Sequence, residues 1–202
     1  MKSDLEKIHE ISISGAGDSD SHIMSIYSIG LSLRPKNILE IGVREGSTTL
    51  PLLMLAKRFD GHLHSVDIKE TLFECRAEYE KYWTFNRSCS VDFLSNYIEK
   101  HGTEKKFDFI YLDGWHSYKH VSRELALLDK LVSPSSIILV HDLMYANWEP
   151  HYHCDLTLDA GQWANGGPYR AVCELNKQFW EFSTIPACNG LTILRKKYSS
   201  LY

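Results

Sequence analysis

The chain has 202 residues, 44% hydrophobic and 24% charged, which suits one globular domain with a sizeable core and leaves no room for a second. A net charge of -4, a pI near 6.2 and the lack of any Lys or Arg run argue against nucleic acid or an anionic membrane surface as partner. No stretch approaches the roughly 20 apolar residues of a membrane span, and the charged opening MKSDLEKIHE has no apolar signal core.

In chain order, residues 1–20 read as a polar lead ending in GAGDSDS. HIMSIYSIGLSL then places Ile23, Ile26, Tyr27 and Leu31 near helical spacing, and Pro35 ends the helix. Residues 37–41 form a short apolar strand; Gly42 and Gly46 let the backbone turn, and Ser47-Thr48-Thr49 opens a helix running through Leu55. Strands are expected at 63–68, within RSCSVDFL, at 107–113 and at 137–142, with a helix over 117–131. A helix from Tyr169 to Lys177 and a strand pair around Asn189-Gly190 close the chain. Buried strands alternating with helices predict an α/β fold, a Rossmann-like, doubly wound, mostly parallel seven-stranded sheet with a C-terminal antiparallel hairpin. Residues 1–202 are expected to make a single domain.

In open α/β sheets, ligands bind beyond the carboxyl ends of the strands, so what each strand end presents is the useful question. The first offers Glu40 and Gly42 and runs into Gly46 and Ser47; the second offers Asp67, placed to accept both hydroxyls of a ribose. Position 44 is Arg rather than the middle glycine of a dinucleotide fingerprint, and a carboxylate at the turn suits an amine-bearing ligand better than a phosphate. Ser90 or Asp92, near the third strand, is a candidate for adenine contact. Asp113 and Asp142 end neighbouring strands expected about 4.8 Å apart, and two carboxylates converging on one point call for a cation between them. A hard divalent ion such as Mg²⁺ fits, with His116 as candidate general base for an acceptor hydroxyl.

The stretch EIGVREG resembles the first motif of class I S-adenosylmethionine (SAM) dependent methyltransferases. FIYLDGWHSYKHVSRELALLDKLVSPSSIILVHD resembles the metal-dependent O-methyltransferases related to macrolide and glycan sugar methyltransferases, whose pattern is roughly D-G-x-H-x-Y, a helix, then H-D. That resemblance implies metal ligation by Asp113 and Asp142, a base at His116 and SAM as cofactor. Many relatives carry a further ligand where this chain has Leu143. His141 is a candidate replacement for it, a candidate acceptor contact, or a hydrogen-bonded structural residue.

Residues 144–168, with Trp148, Trp163 and paired glycines, are expected to form a lid over the acceptor, which Tyr169 and Arg170 would brace or touch. HYHCD at 151–155 suggests zinc, but no second Cys/His pair completes a four-ligand site. Five cysteines, odd in number and without a C-x-x-C pair, point to a reducing, cytoplasmic setting. The expected activity is O-methylation of a sugar, glycan or glycosylated metabolite, with catechols or other small phenols, an NAD-dependent oxidoreductase and a non-catalytic SAM-fold binding module as alternatives. Homo-oligomerisation is left open.

Overall fold

The computed structural model describes residues 2–15, 17–144 and 166–198. Seven strands form one sheet: β1 (Asn37–Ile41), β2 (His62–Asp67), β3 (Trp83–Arg87), β4 (Phe109–Leu112), β5 (Ile137–His141), β6 (Trp180–Ile185) and β7 (Leu191–Lys196). Their order is β3-β2-β1-β4-β5-β7-β6; the first five strands are parallel, and β7 runs antiparallel to both β5 and β6.

Strand alternation divides the core into two layers. Leu39, Ile41, Ile110, Leu112, Ile138 and Val140 pack against α4 (Ser90–His101), α5 (Tyr118–Leu131) and α6 (Gly167–Cys173). Ile38, Phe109, Tyr111 and Leu139 face α1 (Asp4–Ser14), α2 (Ile23–Leu33) and α3 (Thr49–Phe59). Because both faces are covered at its centre, the sheet is apolar there: all four residues of β4 are buried. Among the described residues, no helix is long and apolar enough to cross a membrane.

Three expectations need correction. The polar lead contains an 11-residue helix, α1, started by a capping box in which Ser3 and Glu6 satisfy each other's backbone N–H groups and anchored by buried Ile8. The third strand is WTFNR, rather than RSCSVDFL; the latter runs into α4, where Leu94 and Tyr97 are buried at helical spacing. The last helix spans Gly167–Cys173, starting earlier than Tyr169 and ending before Lys177, with Pro168 in its first turn.

Glu40 was expected at the cofactor, but it is on the wall of neither chamber at the strand ends. It is fully buried on β1, accepting hydrogen bonds from Thr48 at 2.7 Å, from Thr49 at 3.0 Å and from Ser65 at 2.6 Å, so it ties β1 and β2 to the start of α3 beneath the glycine turn. Burial pushes its pKa up to about 7 against the opposing hydrogen bonds. The folded state therefore holds this proton more tightly than the unfolded chain, whose Glu titrates near 4.5, and stability falls as pH rises from 4.5 through 7. Glu40→Gln lacks that titration. Relative to wild type, the variant should gain roughly 3 kcal/mol between pH 4 and pH 8 in urea denaturation, and a difference that stays constant with pH would contradict the assignment.

Candidate functional site

A cleft of about 680 Å³ opens beyond the carboxyl ends of β1, β2 and β4, within the size range of small-molecule sites. Gly42 makes it possible. With φ at +89° and an added Cβ only 2.0 Å from the Asp113 carbonyl oxygen, no other residue fits where the β1 turn crosses the end of β4. Backbone hydrogen bonds from Gly42 to Val66 and from Asp113 to Ile41 lock the three strand ends together.

Asp67 lines the cleft and also braces its rim: Oδ2 accepts from the Val43 and Arg44 N–H groups at 2.9 and 3.2 Å, and Oδ1 from Lys69 N–H at 2.9 Å. Ser90 lines it too, donating to buried Glu124 and standing 2.9 Å from His120 Nε2. Asp92 lies on the exposed side of the first turn of α4 and is not on the cleft wall, a consequence of that segment being helix rather than strand. Gly46 sits behind the loop against Phe73, while Ser47 lines an adjoining smaller chamber.

At the β4 and β5 ends, Asp113, His141 and Asp142 each bring one ligand atom within 4.8 Å of the others. His116 joins them, with Nε2 at 3.0 Å from Asp113 Oδ1 and 3.3 Å from Asp142 Oδ2. Burial opposes ionisation of Asp113, but the neighbouring imidazoles of His116 and His141 hold its pKa well below the carboxylate range. Burial likewise opposes charge on His141, yet Asp113 and Asp142 carry its pKa up to about 10. The two carboxylates thus require a positive charge, and a proton on His141 provides it.

That proton is poorly bonded. His141 Nδ1 lies 3.0 Å from Asp142 Oδ1, but both atoms are buried without a hydrogen bond of acceptable geometry. Asp142 also holds a left-handed φ of +64°, uncommon for a residue with a side chain. Asp142 Oδ1 and His141 Nδ1, both without a hydrogen bond, converge with the Asp113 carboxylate in a way that fits a divalent cation: the carboxylates suit Mg²⁺, and the nitrogen extends the fit to Mn²⁺.

The family of methyltransferase domains matches residues 39–143, just over half of the chain, from β1 to the residue after Asp142. The chain belongs to this methyltransferase family. With its fold, that makes it a class I, SAM-dependent methyltransferase domain. An O-methyltransferase from Bacillus cereus, solved in complex with S-adenosylhomocysteine (SAH), superposes with a TM-score of 0.64 at 15% identity, covering 98% of this chain and 92% of that one. An SAH-bound methyltransferase from Podospora anserina gives 0.64 at 16%, covering 98% and 89%. MycE, a methyltransferase from the mycinamycin biosynthetic pathway solved with Mg, SAH and mycinamycin VI, gives 0.65 at 16%, covering 99% of this chain and 55% of that one. At such identities the likeness speaks to the fold. No curated protein sequence is significantly similar to the chain.

The methyltransferase cleft includes residues that sequence reasoning passed over. Ser19 Oγ donates to Asp113 Oδ2 at 3.0 Å, and Asp18 lines the cleft, so the segment read as a polar lead reaches the site. Trp115 and His120 line it as well, Trp115 with 41% of its surface exposed at the mouth. The capping box at Ser3 and Glu6 was the signal that a helix precedes this segment; nothing local marks where its end docks. Tyr169 and Arg170 are not on the cleft wall: Tyr169 is exposed on α6, and Arg170 stacks on Tyr118 at 4.2 Å and pairs with Glu174 at 2.8 Å. Trp148, Trp163, the HYHCD segment and most of the expected lid lie outside the described residues.

Proposed function

We propose that this methyltransferase transfers the methyl group of SAM to a hydroxyl of a sugar, glycan or glycosylated small molecule, assisted by a divalent cation. The observation that carries this reading is the trio Asp113, His141 and Asp142, with its unbonded buried atoms, at the edge of the cofactor cleft. SAM supplies a methyl group already activated by its sulfonium, which leaves the protein to align nucleophile, methyl and leaving sulfur and to exclude water. A divalent cation on the trio would supply positive charge that lowers the pKa of an acceptor hydroxyl.

The remaining steps fall to the chain's own residues. His116, whose Nε2–H is held by Asp113 Oδ1 at 3.0 Å and Asp142 Oδ2 at 3.3 Å, takes the hydroxyl proton at its other ring nitrogen, and the two carboxylates stabilise the resulting imidazolium. Gly42 and Asp67 shape the nucleoside end of the cleft, with Ser90 at its far wall. Trp115 offers an apolar face at the mouth. Support for a glycosylated acceptor comes from the resemblance of the DGWHSY and HD motifs to sugar methyltransferases, and from a fold neighbour solved with Mg and mycinamycin VI.

Release of SAH should be followed over a panel of glycosides and catechols, with Mg²⁺ and with EDTA. Cation-dependent turnover of a glycoside is the expected result; a catechol as the sole substrate would replace the acceptor class, and turnover insensitive to EDTA would remove the metal. In the same assay His116→Ala should lower kcat by about 10²- to 10⁴-fold with little change in SAM affinity, and a loss below threefold would end its role as base.

A further inference from the structure

A smaller chamber of about 370 Å³ adjoins the cofactor cleft, sharing Asp18, Gly42, Arg44 and Asp113 with it. One wall is the turn at residues 17–20 and the other is the loop running from Val43 into α3. The turn is firmly built. The buried Asp20 carboxylate accepts from Gly17 N–H at 2.8 Å and from Ser14 Oγ at 3.2 Å, and Ser19 Oγ holds Asp113. Upstream, α1 is clamped by Asp4, which accepts from Arg76 at 2.7 Å and from the Tyr79 hydroxyl.

Four carboxylates line the chamber, and three are already engaged. Asp20 is taken up by the turn, Asp113 by Ser19, Tyr111 and His116, and Glu45 by the guanidinium of Arg44 at 3.5 Å. Asp18 uses only Oδ1, accepting from Ser19 N–H at 3.0 Å, and no cationic side chain among the described residues pairs with it. The other wall carries Ser47 and Thr48 at the N-terminus of α3, where the helix dipole is positive. A carboxylate without a counter-ion on one wall and a helix N-terminus on the other are complementary to an amino-acid zwitterion.

Resting on the SAM reading above, we infer that Asp18 accepts the α-ammonium group of the cofactor's methionine end, making the N-terminal turn part of the cofactor site. The nucleoside then occupies the larger cleft beside Asp67 and Ser90. Asp113, common to both chambers, marks the junction where the sulfur and its methyl group belong.

The test compares two ligands by calorimetry: SAH, which carries the amino-acid end, and methylthioadenosine, which has the same nucleoside and sulfur without it. Asp18→Asn removes the charge and keeps the shape. It should weaken SAH about fivefold, the upper end of what an exposed ion pair supplies, and leave methylthioadenosine within about twofold of wild type. Unchanged SAH affinity would overturn the assignment, as would an equal loss for both ligands, since that reports a distorted turn rather than a lost ammonium contact. A wild-type protein that binds neither ligand would remove the SAM reading itself, and this inference with it.

Discussion

Asp113→Asn is expected to abolish methyl transfer, by at least about 10³-fold in kcat/KM, while SAM affinity changes only a few-fold. The side chain serves four partners at once: Ser19 Oγ and Tyr111 OH on Oδ2, His116 Nε2 at 3.0 Å and His141 Nδ1 at 3.5 Å from Oδ1. An amide keeps one acceptor oxygen and turns two hydrogens toward the remaining partners, so it cannot satisfy the set, and it carries no charge to hold a cation or an imidazolium. Two measurements separate these effects. Turnover should collapse at saturating SAM and acceptor, and Mn²⁺ affinity should fall with it. Activity within tenfold of wild type would mean that the convergence of Asp113, His141 and Asp142 is structural.

Gly42→Ala is expected to cost roughly 3 kcal/mol or more, a drop of about 10 °C in Tm for a domain of this size, and to abolish SAM binding. A positive φ alone costs an L residue about 1–2 kcal/mol. The rest comes from the new Cβ, which would stand 2.0 Å from the Asp113 carbonyl oxygen and so must push the end of β1 away from the end of β4. Gly15→Ala isolates the first contribution. Gly15 also has a left-handed φ, +63°, with nothing within 4 Å of an added Cβ, so the substitution should cost only about 1 kcal/mol. If both variants lost the same stability, the close approach at Gly42 would not be what shapes the cleft.

The centre of the sheet was legible in the sequence because β4 and β5 are buried on both faces and so appear as nearly uninterrupted apolar runs. FIYL and IILVH carry that signature, and they end on the acids that the motif singles out. WTFNR was harder to see. It is an edge strand with no fully buried residue, so its pattern is mixed, whereas the neighbouring helix begins with Ser90 and Val91 and resembles a strand over its first few residues. Glu40 illustrates another limit: position fixes that it ends near the turn, but whether its carboxylate points into the cleft or beneath it depends on Thr48, Thr49 and Ser65 closing around it. The contributions of Asp18 and Ser19 were illegible for a different reason. The hydrogen bond from Ser19 to Asp113 joins residues 94 positions apart, and no local pattern encodes such a contact.

The most direct test of the account is a crystal structure with SAH and Mn²⁺, using the anomalous signal of manganese. The account predicts a manganese peak bounded by Asp113, His141 and Asp142, with the SAH nucleoside beside Asp67 and its sulfur facing that peak. SAH bound away from the Gly42 turn, or an anomalous map without a peak at the trio, would contradict it.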